Sequence, residues 1–232
     1  MAITLNTLTS HGDSADANSY TTASSFTPGA NRLVLAFVEN SKGSTANTPT
    51  VTGNSLTWVQ VATVAFSTGS RRRLTLFRAM GASPTNGALT ADFAGVNQTS
   101  IAISVFELDG VDTSGTNGSG AVVQNATNTG EAVSSVTATL AAFGSASNGA
   151  VAGVGATANV GITHDTGWSE IHDITSVTLP ATALETQWIA TNDTTASGTM
   201  VSGTASMGII AIEIKAAVAG RTNQYLTLVG VG

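Results

Sequence analysis

Apolar and polar positions alternate with period two along most of the chain, the spacing of a β-strand whose successive side chains point to opposite faces. In Leu33 to Val38 both registers are apolar, with Leu33, Leu35 and Phe37 on one side and Val34, Ala36 and Val38 on the other. Such a segment is covered on both faces and predicts a central strand. Ser100 to Leu108 repeats the pattern and ends at the turn signal Asp109-Gly110. A long strand is predicted up to about Phe66, with Leu56, Trp58 and Gln60 opposing Thr57, Val59 and Val61, and another from Arg72 to Met80. Between them Ser67-Thr68-Gly69-Ser70 has hairpin composition.

Weaker strands are expected at Ala121–Ala126, Val133–Leu140, Gly149–Ala156, Trp168–Ile174, Ala183–Ala190, Gly198–Gly203 and Ser206–Ile214. Leu184 and Trp188 lie four apart, but Leu184, Thr186, Trp188 and Ala190 also alternate, and their flanks favour a strand. About a dozen short strands separated by turn residues predict an all-β, two-sheet antiparallel β-sandwich of jelly-roll type. No linker divides residues 1–215, so one domain is expected there. Residues 216–232 form a C-terminal tail or extended arm in which Arg221, Tyr225, Leu226, Leu228 and Val229 follow the joint at Gly220. Two readings stand for it: a last strand on its own sheet, or an arm added to a neighbouring subunit.

Composition narrows the function classes. Only 9% of the 232 residues are charged, against roughly 25% in an average globular protein. Lys42 and Lys215 are the only lysines, and Thr, Ser, Asn and Gly carry the surface instead. The formal net charge of -6 argues against a nucleic-acid binder, which needs clustered cations. Without cysteine there is neither a disulfide framework nor a thiol nucleophile. No apolar run approaches the roughly 20 residues of a membrane span. Met1 to Leu5 starts with strand-like alternation in place of a signal peptide, so synthesis in a cytoplasm is expected.

Catalytic constellations are sparse. The three histidines are scattered, no G-x-S-x-G elbow accompanies them, and no phosphate-binding glycine motif precedes a helix. No cofactor is expected. The densest ionisable run holds His164, Trp168, Glu170 and His172; on an extended strand Trp168, Glu170 and His172 share one face and could meet a ligand or a cation. Its other reading is a solvated loop and strand edge. Arg71, Arg72 and Arg73 form the sole basic run, either a charged edge that resists sheet aggregation or a contact for an acidic partner. Trp58 is expected in the core, whereas Trp168 and Trp188 could line a sugar platform.

The order of Asn31 to Val38, Leu56-Thr57-Trp58, Leu74 to Ala79, Ile101 to Ser114 and Gly208 to Ile214 resembles the jelly-roll β-sandwich proteins of bacteriophage virions. That resemblance implies a non-enzymatic virion component: a head decoration (cement) protein, or a fibre or spike that touches the host. It has no catalytic residues to carry over. A decoration protein implies a homo-oligomer, a trimer by preference, that contacts the major capsid protein or other virion proteins. The contact residues expected are Arg71, Arg72 and Arg73 with the tail residues Arg221, Tyr225, Leu226, Leu228 and Val229. The alternative is a carbohydrate-binding module of a fibre or surface adhesin.

Overall fold

The computed structural model describes residues 2–178 and 180–218. Arg221, Tyr225, Leu226, Leu228 and Val229, and with them the arm reading, lie outside the described residues.

Sixteen strands and one short 3-10 turn, Thr68–Ser70, make up the described elements. They are β1 (Thr4–Asp13), β2 (Ser19–Thr21), β3 (Leu33–Ser41), β4 (Thr50–Thr52), β5 (Val59–Phe66), β6 (Arg72–Ala79), β7 (Thr90–Asp92) and β8 (Ser100–Asp109). The second series is β9 (Val122–Val133), β10 (Ser135–Thr139), β11 (Gly149–Ala156), β12 (Ile162–His164), β13 (Ser169–Thr178), β14 (Ala181–Ile189), β15 (Thr195–Met200) and β16 (Ala205–Ile214). The chain is all-β, and the pairings are antiparallel throughout.

Two five-stranded sheets form the sandwich, in the orders β1-β8-β3-β6-β5 and β13-β14-β11-β16-β9. Their facing surfaces share a core of Leu35, Phe37, Leu76 and Phe106 from one sheet and Val151, Leu184, Ile210 and Ile212 from the other. A three-stranded sheet covers the outer face of each: β2-β7-β4 over Val34, Ala36, Val38 and Ile103, and β10-β15-β12 over Ala152, Val154 and Ile209. This layering explains why β3 and β8 are apolar in both registers: each lies between two cores.

The second series retraces the first. Read from β9, the larger sheet runs β9-β16-β11-β14-β13, the same path as β1-β8-β3-β6-β5, and β10-β15-β12 repeats β2-β7-β4. Register turns this into residue equivalences. Val34 pairs with Glu107 and Ala79 in the first half, as Ala150 pairs with Glu213 and Ile189 in the second. Glu107 and Glu213 therefore correspond, and both are buried and hydrogen-bonded alike. Glu107 accepts from Arg32 at 2.6 Å, the Gly29 amide at 2.7 Å and Asn6 at 3.0 Å, while Glu213 accepts from Asn148 and Gln124, both at 2.6 Å. Trp58 and Trp168 correspond too, each preceding a strand with a bulge one turn further on, at Val61 and Ile171.

Equivalent residues also meet each other across the facing sheets. The Phe37 ring lies where a methyl on Gly153, its counterpart, would be, 2.5 Å from Cε1. Glu39 lies against its counterpart Gly155, with a built methyl 2.9 Å from the carboxyl carbon. Arg72 donates to the hydroxyl of its counterpart Thr182. At the opposite end, Val111 bridges Ala216, flanked by hydrogen bonds from Ala217 N to Gly110 O (2.8 Å) and from Asp112 N to Lys215 O (2.9 Å). The halves are thus related by an approximate two-fold axis running along the seam. On such an axis a residue confronts its own copy, and two phenylalanines or two arginines would not fit. A large residue in the first half stands against a small one in the second.

Candidate functional site: a polar cleft at the seam

The basic run splits by strand geometry. Arg71 follows the 3-10 turn and is exposed, Arg72 opens β6 facing the other half, and Arg73 points to the opposite face. Arg73 is spent on structure, donating to Ala46 O at 3.0 Å and Thr63 Oγ1 at 3.1 Å. Arg71 and Arg72 instead line a cleft of about 570 Å³ at the end of the seam. Lys42, Ser41, Ser67 and Thr99 line it from the first half, and Thr157, Pro180 and Ser206 from the second. Asp16 is the one acidic residue on its wall. The turn that carries the cleft edge uses left-handed backbone at Ser67 (φ 66°), Gly69 (φ 74°) and Ser70 (φ 54°).

The cleft floor is firmly built. Ser41 Oγ lies 2.5 Å from Ser100 Oγ and 2.8 Å from Thr99 Oγ1, and Ser100 reaches Thr182 at 3.1 Å. Arg72 also donates to Ala181 O at 2.8 Å. Behind it Glu39 is fully buried, and neither carboxylate oxygen has a hydrogen-bond partner of ordinary geometry. Burial pushes the Glu39 carboxyl well above the usual carboxylate range, and the Arg72 charge and the Ala156 amide pull it back only partly. Burial likewise lowers Arg72.

The His164 cluster does not assemble as its spacing suggests. At the bulge Glu170 pairs with Gln187 and His172 with Thr186, so Ile171 is skipped and the two side chains fall on opposite faces. Glu170 is exposed on the outer side. His172 turns into the seam, with Nδ1 2.8 Å from Ser104 Oγ, and burial lowers its basicity. Trp168 is buried in the outer core of the second half and donates to Asp193 at 3.2 Å; His164 lies on the short β12. Trp188 packs half-buried against the seam core, and Trp58 against the outer core of the first half. A flat tryptophan platform is not formed by these residues.

Ser104 and His172 are the one serine–histidine hydrogen bond among the described residues, but Ser104 has no exposed surface and its hydroxyl is shared with Thr186 at 2.9 Å. The Ser104 hydroxyl thus lies inside the seam, whereas the His172 ring is only half-buried. Among the described residues no group of three His, Asp or Glu is placed to hold a metal ion.

Like Glu39, the buried Glu185 on the outer side of β14, opposite Asp173 and Val154, has both oxygens unpartnered. Burial, with Glu170 and Asp173 nearby, pushes it well above the usual range. Because the folded values of Glu39 and Glu185 are raised, both favour folding fully below the ordinary value of 4.5, and that stability is lost as pH rises through the folded values. Thermal unfolding is therefore expected at higher temperature at pH 5 than at pH 8. The Glu185→Gln variant should flatten that slope, and an unchanged slope would show that Glu185 ionises freely in the fold.

Comparison with family models, with curated proteins and with solved structures finds no match to the chain.

Proposed function

We propose that this chain is a non-enzymatic structural and binding protein of an assembly, and that its specific role is decoration of a bacteriophage capsid. The observation that carries the first part is the sealed seam. Two halves bury the facing surfaces of their large sheets against each other, each outer surface is capped by a further sheet, and Ser104 of the serine–histidine pair has no exposed surface. Such a body is a rigid spacer whose loops and termini are left to make contacts. The virion role rests on the resemblance in strand and turn order and on the charge-poor surface. In each half the pairing of first with eighth, second with seventh and third with sixth strand is that of a rolled-up hairpin, which supports the jelly-roll reading.

The assembly role makes a direct prediction about residues 221–232. The described pairings end with the Val111–Ala216 bridge, so deleting residues 221–232 removes none of them and should leave cooperative unfolding in place while lowering the native mass from an oligomer, a trimer on this reading, to a monomer. A truncated chain of unchanged native mass removes the arm from the account. The full-length protein is expected in stoichiometric amount on purified virions; recovery only as free protein contradicts the decoration role.

A further inference from the structure

We propose that the cleft at the seam binds a carboxylated saccharide. The inference stands apart from the virion role, since it rests on the chemistry of the cleft walls alone. In a chain of net charge -6 with 8 basic residues, Lys42, Arg71 and Arg72 converge on this one concavity. Among the described residues neither Arg71 nor Lys42 has an ion-pair partner, and the Lys42 ammonium donates to Asn47 Oδ1 at 3.2 Å. Unpaired guanidinium and ammonium groups beside a buried guanidinium make a site for an oxyanion, and an arginine can hold a carboxylate through two parallel hydrogen bonds.

The rest of the wall fits the remainder of such a ligand. Hydroxyl side chains both donate and accept, as sugar hydroxyls do, and Ser14, Ser67, Thr68, Thr99 and Thr157 line the cleft from both halves. Ser67 holds a buried Oγ with no hydrogen-bond partner, a polar group whose burial cost a ligand hydroxyl would offset. The volume of about 570 Å³ lies within the range of small-molecule sites, roughly 300–1,000 Å³. Three carboxylates bear on the site. Asp16 lines the wall, Glu131 accepts from the cleft residue Ser206, and Glu39 lies buried behind Arg72, so the unpaired cationic groups are those of Arg71 and Lys42.

The test is calorimetric titration of the full chain with an oligogalacturonate, with its fully methyl-esterified form, and with inorganic phosphate. The acidic oligomer is expected to bind, and the ester, which keeps every hydroxyl but loses the charge, at least about tenfold more weakly. Arg71→Ala and Lys42→Ala should each weaken binding several-fold with unchanged circular dichroism, while Asp16→Asn should strengthen it. Absence of binding overturns the proposal, and so does equal binding of the ester. Phosphate that binds as tightly as the oligomer would reduce the site to a simple anion hole and overturn the saccharide assignment.

Discussion

Placing phenylalanine at Gly153 should destabilise the fold severely, and a second change at Phe37 should rescue it. Phe37 already occupies the space in front of Gly153, so any side chain there forces the facing sheets apart. Overpacking a filled core costs about 1–3 kcal/mol, occasionally more, and removing a buried phenylalanine costs about 3–5 kcal/mol. Each single change, Gly153→Phe or Phe37→Gly, should therefore lower the denaturation midpoint strongly. Because the two positions are equivalent across the axis, the double variant moves the ring from one half to the other and refills the same space. The expected coupling in a double-mutant cycle measured by denaturant unfolding is about 2–3 kcal/mol. Additive effects would mean that the two residues do not face each other.

The second large effect lies at the cleft floor. Arg72→Met removes the hydrogen bonds to Thr182 Oγ1 and Ala181 O and takes the nearby cation away from the buried Glu39 carboxyl, and leaving a buried polar group unpaired costs about 1–3 kcal/mol. Because burial raises the Glu39 carboxyl and the Arg72 charge pulls it back, the loss should be greater at pH 8 than at pH 5, where a smaller fraction of the carboxyl is ionised. Combining Arg72→Met with Glu39→Gln should recover most of the stability. If Arg72→Met is neutral at pH 8 in thermal unfolding, Arg72 does not hold the seam.

Much of the fold could be read from residues that do one job. Leu33 to Val38 and Ile101 to Phe106 announce strands covered on both faces because burial on both sides demands apolar residues in both registers. The three-residue strands Ser19–Thr21, Thr50–Thr52, Thr90–Asp92 and Ile162–His164 are too short to show alternation, and their pairing depends on neighbours far along the chain. The repeat was hidden for a physical reason. Where the halves meet, packing on the axis forces equivalent residues to differ, as in Phe37 and Gly153, Glu39 and Gly155, or Arg72 and Thr182. The signals that survive lie away from the axis: a tryptophan before a bulged strand, and a buried glutamate near the end of the last strand, at Glu107 and Glu213.

The candidate site was legible in part. Arg71 and Arg72 stand out in the sequence as part of its one basic run. Lys42 lies far back along the chain, and Thr157 and Ser206 belong to the other half; only the closed seam brings them together. In the His164–His172 run, the bulge at Ile171 breaks the alternation that would put Glu170 and His172 on one face.

The cleft, the buried Ser104 hydroxyl and the spacer role all depend on the closure of the two halves along one axis. Val111 and Ala216 provide its most direct test. Their flanking hydrogen bonds make them a non-hydrogen-bonded antiparallel pair, for which the Cα separation is about 4.5 Å, within disulfide reach. The chain has no cysteine of its own, so the Val111→Cys, Ala216→Cys variant holds only the two thiols introduced. In the folded protein under mild oxidation these thiols are predicted to form an intramolecular disulfide, seen as a complete loss of thiol reactivity and a faster-migrating band on a non-reducing gel. Two thiols that stay free and reactive in the folded monomer would contradict the face-to-face closure of the halves.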